Sequence, residues 1–222
     1  MDFNKMGIKY SYIGDSIKFI MDNEQRIKNM LLDYECHTRS DRHPSGVDVK
    51  TLTFSKENKK ICFSPLRIDF DYGFTSALDE DVNSFEEASN FFKLFGEIFP
   101  DFKSERLAIY STSIIDNTGN KSVEYLSGIF NTLDVFGDCN DFNLRINNIK
   151  NYKEKLNSAI VLEKGMITNH KTNETKGVVV CKIDVNTLME NRTLRFSPYN
   201  FIDDFNDLYE EFSDKKQIIS RL

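Results

Sequence analysis

The stretch Lys60-Ile61-Cys62-Phe63-Ser64-Pro65-Leu66-Arg67-Ile68-Asp69-Phe70-Asp71-Tyr72 decides how this chain is read. Apolar residues alternate with polar ones, which is the period of a half-buried strand. The phase changes midway: Ile61 and Phe63 are odd, whereas Leu66, Ile68, Phe70 and Tyr72 are even. A strand cannot change face without an extra residue or a bend, so a bulge or kink is expected at Ser64-Pro65. Upstream, Val47–Phe54 reads as a second strand, joined through Ser55–Lys59 in a hairpin. Arg67, Asp69 and Asp71 share one strand face, opposite Ile68, Phe70 and Tyr72.

Working outward, Gly7–Met21 reads as two short alternating runs around Gly14-Asp15, a small hairpin, with Asp15 as a helix cap the alternative. Residues 23–33 have a helical period. Glu35–Gly46 has almost no apolar content and reads as a loop. Ser84-Phe85-Glu86-Glu87 has the form of a capping box, opening a helix with Phe85, Ala88, Phe91, Phe92, Phe95 and Phe99 along one face and Pro100 as its stop. Glu105–Ile115 reads as a strand, and residues 121–134 lean towards helix. Phe142–Ile149 alternates, and Ala159–Thr168 with Gly177–Val185 forms a hairpin in which Val179, Cys181, Ile183 and Val185 share a face. Ser197-Pro198 opens a last helix with Phe201, Phe205, Leu208 and Phe212 as its stripe. Its acids come early and its bases late, complementing the helix dipole.

Strands and helices do not alternate one for one. The expected fold class is therefore α+β: a largely antiparallel sheet, or sheets, packed by two long Phe-rich amphipathic helices. Length suits a single compact domain over residues 1–222, or two intimately packed halves, 1–135 and 136–222, each a hairpin leading into a helix.

The chain holds 29 Lys+Arg against 35 Asp+Glu, a net charge of −6, which argues against nonspecific nucleic-acid binding. The four cysteines, Cys36, Cys62, Cys139 and Cys181, form no C-x-x-C pair or disulfide framework. With no secretory leader or membrane run in the sequence, the expectation is a cytoplasmic protein with free thiols.

Candidate chemistry is sparse. The 36–43 segment carries Cys36, His37, Arg39, Asp41, Arg42 and His43. Its arginines suit an anion or phosphate clamp of Arg39, Arg42 and His43 with Lys50, because arginine forks match phosphate. A zinc set from Cys36 or His37 with Asp41 and His43 lacks standard spacing. Asp69 and Asp71 are the speculative metal or acid/base pair, weighed against an ordinary mixed-charge sheet face. Lys182-x-Asp184 reverses the acid-x-Lys order of a common nuclease centre, and Glu163-Lys164 is adjacent rather than spaced. No phosphate loop, dinucleotide fingerprint, nucleophile elbow or H-E-x-x-H is present. No catalytic residue is therefore assigned and no cofactor is expected.

Three segments carry a family resemblance: Ile61–Phe70, Glu105–Ile115, and Gly177–Thr187 before the C-terminal helix. Over residues 47–222 the chain resembles a sporadically distributed family of uncharacterised bacterial α+β proteins with two β-rich halves. In that family an Arg opens the strand after the first long helix and an aromatic follows, matched here by Arg106 and Tyr110. Ser111 stands where the family has Asn. The resemblance supplies no catalytic residues. It implies a bacterial or phage setting of defence, counter-defence or toxin–antitoxin type. The expected function is non-enzymatic binding of another protein, with a small-ligand or nucleotide module and a metal-dependent hydrolase as the alternatives.

Overall fold

A computed structural model describes residues 5–42, 46, 48–73, 81–115, 126, 142–169, 172–189 and 193–220. The strands are β1 (Lys5–Ile13), β2 (Glu35–Arg42), β3 (Asp48–Lys56), β4 (Lys59–Ser64), β5 (Arg67–Gly73), β6 (Arg106–Ile115), β7 (Asn143–Asn151), β8 (Lys155–Asn169) and β9 (Glu174–Thr187). The helices are α1 (Ile17–Met30), α2 (Asp81–Ile98) and α3 (Phe201–Ser220), the last entered through a 3₁₀ turn at Pro198–Asn200. Among the described residues the strands make one sheet in the order β2-β3-β4-β5-β1-β6-β9-β8-β7. Every pairing in it is antiparallel. The architecture is α+β, as alternation and element order imply.

The order is nearly symmetric about the β1–β6 pair, with four strands beyond β1 and three beyond β6. β5 returns to lie beside β1, and β9 returns to lie beside β6. The next helix after β5 is α2, and the next after β9 is α3. A division at residues 135/136 would run through the β6–β9 ladder, which pairs Ala108–Ile115 with Val179–Asn186.

The helices cover one face of the sheet. Tyr12 meets Phe92 of α2 and Phe205 of α3 edge-on, at 4.9 and 5.4 Å between ring centres. Phe63 meets Phe95, and Phe70 stacks on Phe91. Phe19 of α1 joins the same cluster through Phe95, Phe99 and Phe102. Each fully buried ring contributes about 1.5–3 kcal/mol of transfer free energy, so this aromatic layer dominates the core.

Several expectations change. The phase switch at Ser64-Pro65 is a chain reversal, not a bulge: β4 and β5 pair as a hairpin with Ser64 opposite Arg67, Phe63 opposite Ile68 and Ile61 opposite Phe70. A two-residue connection makes each odd residue face an even one. The parity change thus keeps one apolar face, and Pro65 sits in the connection, where no ladder bond is needed. Gly14-Asp15 is likewise no hairpin. β1 ends at Ile13, the Gly14 and Ser16 amides donate to Leu66 and Pro65 carbonyls, and α1 begins at Ile17. Asp15 Oδ1 accepts the Ile17 amide at 3.1 Å, the capping alternative.

The α2 helix starts at Asp81, ahead of the Ser84 capping box. Ser84 is buried inside it and shares a 3.0 Å hydrogen bond with the Tyr10 hydroxyl. Glu35–Arg42 is not a loop but the outermost strand, paired with β3 and exposed at every residue. A backbone ladder needs no apolar side chains, so an edge strand covered on neither face leaves no hydrophobic period. Among the described residues α1 joins the two Phe-bearing helices over the sheet; the helical period read over 23–33 belongs to it, and it begins earlier, at Ile17. Ser197 precedes the 3₁₀ turn without a side-chain cap; its amide instead donates to Asp204 Oδ2 at 3.2 Å. The early acids Asp203 and Asp204 fall in the first turn of α3, while of the late bases Lys215 and Lys216 precede the last turn and Arg221 lies outside the described residues; Lys215 pairs with buried Glu211 at 3.3 Å. Of the 121–134 reading only Leu126 is described, helical and buried; the rest of it, His43 and Cys139 lie outside the described residues.

Candidate functional site

No described helix lies over the second face of the central strands, and this face is polar. Strand alternation puts Lys9, Ser11 and Ile13 of β1 there, opposite to buried Ile8, Tyr10 and Tyr12. Register then fixes their neighbours. Ser11 lies between Asp69 and Ala108, Lys9 between Asp71 and Tyr110, and Ile13 between Arg67 and Arg106. On β9, Asn186 faces Ala108 and Asp184 faces Tyr110. All of these polar-face residues but Asp69 and Asp71 line a groove of about 390 Å³.

Its charges are interlocked. Asp69, buried despite its charge, accepts the Ser11 hydroxyl at 2.7 Å, and its carboxylate lies 2.9 Å from Arg67 Nε and 3.7 Å from Lys9 Nζ. Asp71 takes Lys9 at 3.3 Å. Burial pushes the Asp71 carboxyl above its ordinary range, and Lys9 opposes that rise. Arg106 donates from Nε to the Thr187 carbonyl at 3.0 Å and from Nη2 to Asn186 Oδ1 at 2.9 Å. Asn186 Nδ2 in turn donates to Asp184 Oδ1 at 2.9 Å. The amide's orientation is thus fixed from both sides.

A second concavity, of about 520 Å³, lies on the helical side between the C-terminal end of α1 and α2. Leu31, Phe70 and Phe91 are buried in its wall, while Leu32 and Leu94 are 78% and 44% exposed. Glu87 at the same groove pairs with Lys59 at 2.8 Å. Asn29, Asp33 and Asn90 share its lining with these apolar side chains, a mixture ordinary for a protein-contact surface.

The sequence-derived candidates are redistributed. Arg39 and Arg42 stand three apart on a strand and therefore face opposite sides of the sheet. Arg39 is held by Asp41 at 2.8 Å. Lys50, opposite Ser40, shares the Arg42 face and pairs with Glu24 of α1. The clamp of Arg39, Arg42 and Lys50 is therefore not assembled. The same alternation separates Cys36 from His37 and Asp41; His37 sits 3.2 Å from Glu35. Asp69 and Asp71 do share a face as expected, but cations and a hydroxyl occupy them. Among the described residues no three His, Cys, Asp or Glu side chains gather as a metal set. Lys182 pairs with Glu163 on β8, which raises its pKa, and Asp184 belongs to the Asn186 relay.

Lys9, Ser11 and Asn186 were not singled out from the sequence. The Ile8/Tyr10/Tyr12 alternation is the signal that places the first two on the polar face. Arg106 and Tyr110, the residues that carried the family resemblance, both line the groove.

No protein-family model matches the sequence, and no curated protein matches it significantly. Among the described residues no helix is long and apolar enough to cross a membrane.

Proposed function

We propose that this chain is a non-enzymatic binding protein whose partner is another protein, docked in the apolar groove between α1 and α2. The observation that carries the reading is Leu32. A leucine 78% exposed beside half-exposed Leu94, over a floor of Phe70 and Phe91, costs solubility unless something covers it. The interlocked charges on the polar face also favour recognition over acid–base chemistry, since Asp69 and Asp71 are already committed to Lys9, Arg67 and Ser11. The family resemblance supplies the setting within the same proposal: a cytoplasmic bacterial or phage protein of a defence, counter-defence or toxin–antitoxin locus. The near-symmetric strand order, with a Phe-bearing helix after each returning strand, supports descent from two related modules.

The test is capture of partners on the tagged full chain, with Leu32→Asp and Leu94→Asp alongside. The expected result is one stoichiometric protein that the double variant no longer retains. A wild-type chain that stays monomeric and retains no protein, or a partner held equally by the variant, refutes the reading.

A further inference from the structure

We infer that the groove on the polar face binds a small dipolar molecule, anionic at one end and carrying a hydrogen-bond donor at the other. Arg67 and Arg106 flank Ile13 in one cross-strand row, so their backbones stand about 10 Å apart, two strand spacings. Each guanidinium is anchored along one edge. Arg67 uses Nε on Asp69, and Arg106 uses Nε and Nη2 on Thr187 and Asn186. The Nη groups of Arg67 and Nη1 of Arg106 remain to meet a ligand. Forks held in place lose little freedom on binding and match the oxygens of a carboxylate or phosphate.

Four residues along the strands, about 13 Å away, the row Lys60–Asp71–Lys9–Tyr110–Asp184 alternates in charge and ends on a carboxylate. Lys9 pairs there with Asp71, and Asp184 stands beyond Tyr110. Asp184 receives Asn186 on Oδ1, leaving Oδ2 as an acceptor. The cations lining the groove are Lys9, Arg67 and Arg106 and its carboxylate is Asp184, so the arginines and the open carboxylate oxygen lie at opposite ends of it. Asp69 lies with the arginines and is already taken by Ser11, Lys9 and Arg67. A simple anion gains at one end only. A molecule with an anion at one end and an amino group at the other is complementary to both. Ala108, the small residue between Ser11 and Asn186, keeps the floor low, and about 390 Å³ falls within the range of small-ligand sites. This inference does not depend on the protein partner, whose groove lies on the other side of the sheet.

The experiment is calorimetric titration of the full chain with adenosine monophosphate, inosine monophosphate, inorganic phosphate and ε-aminocaproate. Binding of adenosine monophosphate identifies a phosphate source, and binding of ε-aminocaproate a carboxylate source; either supports the site. Arg67→Gln should then weaken binding about tenfold, the loss of one charge-assisted fork. Asp184→Asn should weaken the amino-bearing ligand while leaving inorganic phosphate unchanged, and should remove the preference for adenosine over inosine. Arg67→Lys keeps the charge without the fork and should fall between wild type and Arg67→Gln; it also serves if the Gln variant fails to fold. Leu32→Asp should bind as wild type does, which separates this site from the protein groove. Absence of saturable binding by all four probes at about 10 mM, ten times a weak Kd of about 1 mM, overturns the inference. So does binding that none of the groove variants changes.

Discussion

Replacing Gly96 by alanine sets two physical effects against each other. Gly96 lies inside α2, two residues from its end, and is buried. In an isolated helix Gly→Ala stabilises by about 1 kcal/mol, because alanine loses less backbone entropy. Here the added Cβ would stand 2.4 Å from the Tyr199 amide nitrogen and 2.7 Å from its Cα. Carbon contacts relax at about 3.5–4 Å, so α2 and the 3₁₀ turn must separate by about 1 Å. The obstacle is backbone and cannot rotate away. The Asn200 amide holds the turn to the Ser197 carbonyl at 2.9 Å, and Phe201 behind it stacks on Phe92 at 5.3 Å. Overpacking costs about 1–3 kcal/mol, and an obstacle of backbone puts this site at the upper end, about 2–3 kcal/mol. The helix gain offsets part of it, leaving a net loss of about 1–2 kcal/mol. For a chain of this size that is a fall in Tm of about 2–8 °C. Urea and thermal unfolding measure it, with Asn90→Ala as the control, since Asn90 is exposed in the same helix and alanine there should be neutral or slightly stabilising. A Gly96→Ala protein as stable as wild type, or more so, refutes the close approach of Tyr199 to α2.

Two further outcomes are expected. The Ser111 and Ser158 hydroxyls are buried on the helical face without a hydrogen-bond partner, so Ser111→Ala and Ser158→Ala should leave stability unchanged or raise it by up to about 1 kcal/mol; a loss above that in urea unfolding would mean the hydroxyls are bonded. Burial pushes Asp204 up to about 6 from an ordinary 3.8, against the Ser197 amide that favours its charged form. The folded chain then holds a proton that the unfolded chain releases, so this group's contribution to stability declines as pH rises from about 4 to 6 and is level above. Asn at this position keeps an acceptor for the Ser197 amide. Asp204→Asn should therefore gain in Tm over wild type across that interval and hold the gain at pH 7, and an equal difference at all pH values would contradict it.

The elements that bury one face were legible because burial leaves a period. Ile8, Tyr10 and Tyr12, the α2 and α3 phenylalanines, and Val179 to Val185 each repeat as their structure requires. Glu35–Arg42 was not legible: an edge strand exposed on both faces is held by its backbone ladder alone and so resembles a loop. The Ser64-Pro65 switch left a true signal with two meanings, since a bulge and a two-residue reversal change parity alike. Within the site, Arg67, Asp69, Asp71 and Asp184 could be placed on strand faces one strand at a time. That Ile13 brings Arg67 beside Arg106, and that Asn186 links Arg106 to Asp184, depends on register between strands about 50 to 90 residues apart. Sequence alone determined the α+β class, the apolar stripes and the shortage of catalytic motifs, because these follow from local period and composition. Tertiary structure alone decided the strand order, the dispersal of Arg39, Arg42 and Lys50, and the polar groove, because side chains on different strands converge only once long-range pairing has set their register.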